Sequence, residues 1–108
     1  MSINARIKSA VEPIVPVCVP DTYTGEAEIY CTFNGNATPV GFGDNRPRAR
    51  LWSMQLHYFC PAGHNSLATR LELCRAMNAA GFTYPTEENA SDEDGQHYAL
   101  EFQGLGEA

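Results

Sequence analysis

Four groups of side chains in this sequence have types and spacings that bear on chemistry. Cys60 and His64, separated by three residues, have the spacing of half a zinc site. Cys31 and His57 would make another half if their strands were neighbours. Structural zinc asks for four ligands, usually in two close-spaced pairs. No Cys-x-x-Cys supplies a second pair, and Cys60 falls on the apolar face of a strand pattern. No metal is expected.

The run Asp92-Glu93-Asp94-Gly95 fits part of a calcium loop. With Gly95 in the sixth position, Asp94, Asp92 and Glu101 fall on liganding positions. Ala90 then takes the first position and brings no side-chain oxygen, and a strand pattern follows where a helix is needed. The expected structure is a solvated acidic hairpin turn. Cys60, His57, His97 and Asp44 are the ingredients of a nucleophile, base and orienter. No nucleophile elbow, glycine-rich phosphate loop or His-Glu-x-x-His accompanies them. No catalytic residue and no cofactor is expected, and the chain does not read as an enzyme.

The last group is Arg46, Arg48 and Arg50, the one positive cluster in a chain of net charge −6. It reads either as a solvated strand entrance or as a contact for an acidic neighbour, such as Asp92 and Asp94 of another copy. Opposite charges on one surface favour head-to-tail association. Residues Arg46, Arg48, Arg50, Asp92 and Asp94 are therefore the candidate subunit or partner interface. An acidic chain starts at a disadvantage for phosphate neutralisation, so direct nucleic-acid binding is not expected. No apolar stretch approaches a membrane span of about 20 residues. The first residues show no long apolar run after their charges, so no secretory signal is expected and the cysteines are expected to be buried free thiols.

These groups must be carried by a single domain over 1–108, for which 44% hydrophobic residues suffice. Ser2 is placed to cap a short helix with Ile3, Ile7, Ala10 and Val11 on one stripe. The Pro13–Pro20 segment is extended and poorly suited to a central strand. Ala27–Phe33 alternates as a half-buried strand. Residues 34–46 read as a long loop, and Arg48–Cys60 as the longest strand, with Trp52, Met54, Leu56, Tyr58 and Cys60 on one face. Asn65 is the expected cap of a second helix with Leu67, Leu71, Cys74 and Met77 inward. Gly81 is its expected left-handed terminator. Phe82–Pro85 reads as a short strand, Thr86–Gly95 as an acidic loop, Gln96–Phe102 as the closing strand and Gly104–Ala108 as a frayed tail. The expected class is α+β: one mainly antiparallel four-stranded sheet packed by two helices, in the order α-β-β-α-β-β.

Taken together, the N-terminal helix with Ile7 and Val11, the strand Glu28-Ile29-Tyr30-Cys31-Thr32-Phe33, the loop ending Gly43-Asp44-Asn45-Arg46-Pro47, the strand Trp52 to Phe59, the helix passing into Gly81-Phe82 and the strand His97 to Phe102 resemble a known family. They are similar to the small tail-completion and tail-terminator proteins, with their head–tail joining relatives, of long-tailed bacteriophages and prophages. The resemblance spans roughly residues 3 to 103 and rests on the order of elements. It implies a structural virion protein that forms an oligomeric, often hexameric, ring. Such a ring would cap or complete the tail tube and help join tail to head. The implied partners are other copies of itself and the tail-tube and head-connector proteins, first in the host cytoplasm and then in the tail. Another minor tail or connector component, or a small cytoplasmic protein-binding module, are the alternatives.

Overall fold

The computed structural model describes residues 1–107. Its elements are α1 (Ile3–Val11), β1 (Cys18–Pro20), β2 (Tyr30–Val40), β3 (Ala49–Cys60), α2 (Leu67–Ala79), β4 (Thr86–Asn89) and β5 (Gln96–Glu107). The class is α+β with two helices, but the sheet has five strands and is mixed, in the order β1-β2-β3-β5-β4. This corrects the four-stranded, mainly antiparallel expectation. The extra strand is β1, which pairs parallel to β2 through Cys18↔Cys31 and Pro20↔Phe33. Its prolines bar it from a sheet centre but not from an edge. The Val17 carbonyl accepts from Cys31 and the Asp21 amide donates to Phe33. By alternation, the nitrogen of Pro20 then points away from β2, where no donor is needed.

Residues 34–40 are strand, not loop. β2 pairs with β3 without interruption from Tyr30↔Phe59 to Val40↔Ala49. The Asn, Gly and Pro content argues for a loop, yet beyond Phe33 this strand is an edge, the position in a sheet that tolerates proline. The hairpin closes through paired hydrogen bonds between Gly43 and Arg46 (2.9 and 3.0 Å). Asp44 and Asn45 take positive φ (53° and 61°), the geometry of a type I′ turn, which Asp and Asn accept more readily than most residues.

β3 lies at the sheet centre, between β2 and β5. Met54, Leu56, Tyr58 and Cys60 are buried against the helices together with Cys31, Phe33, Leu100 and Phe102, while Trp52 is half-buried at the margin. α1 adds Ile3, Ile7 and Val11, its start capped by the Ser2 hydroxyl, which accepts from Ala5 N–H (3.1 Å). Arg6 on α1 donates to the carbonyls of Leu105 (2.8 Å) and Ala80 (3.2 Å) while lying over the Phe82 ring.

α2 is turned from the expected orientation. Leu73, Cys74 and Met77 are buried, whereas Leu67 and Leu71 are 54% and 37% exposed. The residue one turn before Cys74 on the inward face is Arg70. Its stem covers apolar surface, and its head reaches Tyr98 and Glu87. Ser66, not Asn65, precedes the helix, although Asn65 Oδ1 accepts from Leu67 N–H (3.3 Å). Gly81 does end the helix with φ +97°.

Phe82–Pro85 is not a strand: Phe82 is buried, edge-on to Phe102. β4 is instead cut from the expected acidic loop, and Asp92↔Gly95 closes the remaining turn. Over residues 104–107 the expected frayed tail is replaced by pairing of β5 with β3 through to Ala49↔Glu107, and Ala108 lies outside the described residues. Its glycines read as flexible in sequence. In the fold they make room for rings: a Cβ on Gly104 would strike Phe82, and one on Gly106 would come within 2.9 Å of Trp52 Nε1.

Candidate functional site

Alternation along the three long strands gives the sheet a second face that no helix covers. Register places Tyr30, Phe59 and His97 side by side across β2, β3 and β5. Tyr30 and Phe59 are stacked with centroids 4.7 Å apart, and Phe59 and His97 with centroids 4.2 Å apart. Tyr23, from the segment before β2, leans on Tyr30 at 4.6 Å. Neighbouring strands are about 4.8 Å apart, so rings stacked this closely stand upright on the sheet and present their edges outward.

Two positions along β3 from Phe59, His57 Nδ1 lies 2.8 Å from His97 Nε2. One of these nitrogens donates and the other accepts. Burial lowers the pKa of both imidazoles below the ordinary 6.5. The neighbouring His97 lowers His57 further, and Asp92 partly offsets the shift of His97.

The aromatic row ends in a cleft of about 410 Å³. Tyr30, Phe59 and His97 form part of its lining, Gly95 and Gln96 close one side, and the carboxylates of Glu28, Asp92 and Asp94 stand around it. Asp92 Oδ1 accepts the Asp94 N–H (2.9 Å), which holds the turn. The single salt bridge among the described residues is Arg70–Glu87 on the helix side, so no cation among them forms an ion pair with this rim.

The expected chemical groups separate. Cys31 pairs with Tyr58 on the helix face while His57 is on the open face, and the same alternation divides Cys60 from both imidazoles. Asp44 sits at the far hairpin. Glu101, the twelfth position of the calcium-like loop, bonds to Gln55 (2.8 Å) and is six residues up β5 from Gly95, about 20 Å of strand. Among the described residues no group of three or more His, Cys, Asp or Glu side chains is placed to hold a metal ion. All four cysteines are buried free thiols, with burial raising Cys18 to about 12 and lifting Cys31, Cys60 and Cys74 as well. No helix among the described residues is long and apolar enough to cross a membrane.

The candidate interface residues form two groups that do not meet within one chain. Arg46 and Arg48 belong to the hairpin tip and Arg50 to the start of β3; all three are exposed, and none forms an ion pair among the described residues. Asp92 and Asp94 adjoin the other end of β3, where Gln96 pairs with Cys60. Twelve residues of strand separate the ends, about 36 Å, in a body measuring 54 × 25 × 23 Å. A strand that long has to run along the major axis. The positive group and the acidic cleft therefore occupy opposite ends of the molecule.

The histidine pair and the aromatic row went unassigned in the sequence. Their signal was present as same-parity positions on strands that turn out to be neighbours. No protein-family model matches the chain, and no curated protein matches it.

Proposed function

We propose that this chain is a ring-forming structural subunit of a long-tailed phage, which caps or completes the tail tube and helps join tail to head. The observation that carries this reading is the polarity of an elongated domain, with arginines at one end and carboxylates at the other that form no ion pair among the described residues. Such a surface suits heterologous contacts, which generate a closed ring when the rotation between copies closes. The order of helix, long hairpin, helix, Gly-Phe passage and closing strand adds the link to tail-completion proteins. Its partners are copies of itself, the tail-tube protein and a head-connector protein.

Two experiments test this reading. Particles made without the gene are expected to carry tails of uncontrolled length or tails detached from heads under negative stain. Infectious particles of normal morphology would remove the assignment. The purified protein, measured by light scattering across a concentration series, is expected to populate a closed oligomer.

A further inference from the structure

We infer that the β2–β3 hairpin tip of one copy seats in the acidic aromatic cleft of the next, with Phe42 against the ring edges and Arg46 against the carboxylates. The inference rests on the ring reading above and names its contact.

The tip is built to be presented. The Gly43–Arg46 turn is closed by two hydrogen bonds with both central residues in the left-handed region. A third bond, from Arg48 N–H to the Val40 carbonyl (3.1 Å), fixes its base. A segment already ordered loses little freedom on docking. On this turn Phe42 is 64% exposed, an aromatic ring with no partner of its own. Arg46 is exposed beside it, and Arg48 folds back over Gly43. Asp44 offsets one of the three arginines and leaves the tip positive.

The cleft matches this tip in two independent respects. Its upright rings expose the electropositive edges of Tyr30 and Phe59, and aromatic edges favour the π face of an incoming ring. Its rim holds Glu28, Asp92 and Asp94, none of them in an ion pair among the described residues, and a guanidinium suits carboxylates better than any other side chain. A buried aromatic with an adjacent arginine is also the composition found at interface hot spots. Because tip and cleft lie at opposite ends of the chain, a copy whose tip is engaged still offers a free cleft.

The test uses two variants with blocked halves, both altered only at exposed residues. R46E/R48E disables the tip, and E28K/D94K disables the cleft. Each alone is expected to be a folded monomer under conditions where the wild type assembles, with association weakened at least about tenfold. Mixed, they are expected to recover assembly at one-to-one stoichiometry, because the acidic tip of one variant meets the basic cleft of the other while the remaining native tip and cleft still fit. Wild-type assembly is expected to weaken with added salt.

Circular dichroism and melting curves check folding. If a reversal unfolds the chain, the neutral R46Q/R48Q and E28Q/D94N replace it; each is again expected to be monomeric, and their mixture to stop at a one-to-one dimer. Variants that assemble like the wild type, or a mixture that stays monomeric, overturn the tip-in-cleft contact and leave the ring reading standing. A wild-type protein that stays monomeric at all concentrations and on isolated tail tubes overturns both.

Discussion

The guanidinium carbon of Arg70 lies 4.0 Å from the centroid of the Tyr98 ring, on the face of α2 that packs against the sheet. Arg70 also donates to Glu87 of β4 at 3.5 Å and to the Ser66 hydroxyl at 3.2 Å. One cation thus ties the start of α2 to β4 and β5. It occupies the inward position that a hydrophobic count assigns to a leucine.

The orientation of α2 is checked by three truncations. Leu73→Ala is expected to cost about 2–5 kcal/mol, as for a fully buried leucine. Leu71→Ala should cost under about 1 kcal/mol, since that residue is 37% exposed and stands outside the core cluster. Arg70→Ala should fall between them, at about 1–2 kcal/mol, through the lost ring contact and stem packing. Urea unfolding of the three variants measures this order. A larger loss for Leu71→Ala than for Leu73→Ala would turn the helix back to the leucine-inward orientation.

Gly104→Ala tests the end of β5. The new methyl would meet the Phe82 ring, itself held between Phe102 and Arg6. Overpacking of this kind typically costs about 1–3 kcal/mol. Gly63→Ala is a useful contrast, because its Cβ would meet nothing, although φ is +82° there. Its loss is expected to be pure backbone strain, about 1 kcal/mol. Equal amide exchange of residues 103–106 in wild type and Gly104→Ala would contradict the packing role.

The histidine pair gives a pH dependence with a definite sign. Both imidazoles have folded pKa values below the ordinary 6.5, so near and just below that pH the unfolded chain binds more protons than the folded one. Stability is then fully present above 6.5 and falls as the pH drops below it. The fall ends once the folded imidazoles protonate too. The urea midpoint should decrease between pH 7.5 and pH 5.5, and His57→Gln should flatten the decrease. A wild-type midpoint that rises over this interval would refute the sign.

Thiol chemistry provides a separate check on the core. Cys18 and Cys31 are register partners on β1 and β2, and burial holds every thiol in its protonated, unreactive form. Ellman titration of native protein at pH 8 is expected to be slow, and denaturation without reductant should release four equivalents. Fast labelling of Cys18 in native protein would mean that β1 is not docked.

The sequence made legible those elements whose own pattern carries their environment. β3 alternates over its whole length and was read to within a residue. α1 announced itself through Ser2 and its Ile3, Ile7, Val11 stripe, and Gly81 marked the end of α2. Other features depend on partners that no local pattern names. Residues 34–40 look like loop because Asn, Gly and Pro disfavour strands, and only pairing with β3 overrides that preference. β1 was hidden because its prolines weigh against a strand unless its outer side is known to be free. α2 was misaligned because Arg70 buries its stem as a leucine would. The candidate interface charges were legible as residues, but their placement at opposite ends required the register of β3.

The Arg6 side chain has a consequence for how the domain folds and comes apart. It bridges α1 to carbonyls 74 and 99 residues away in the chain, whereas the β2–β3 hairpin closes over its own few turn residues. Local closure comes early and distant closure late, because the entropy of long loops must be overcome first. The Arg6 clamp therefore belongs to the native side of the folding barrier, and removing it should speed unfolding while leaving the folding rate nearly unchanged. It also marks α1 and the far end of β5 as a latch: in the opening fluctuations of the native state these two segments part together, with the hairpin still intact.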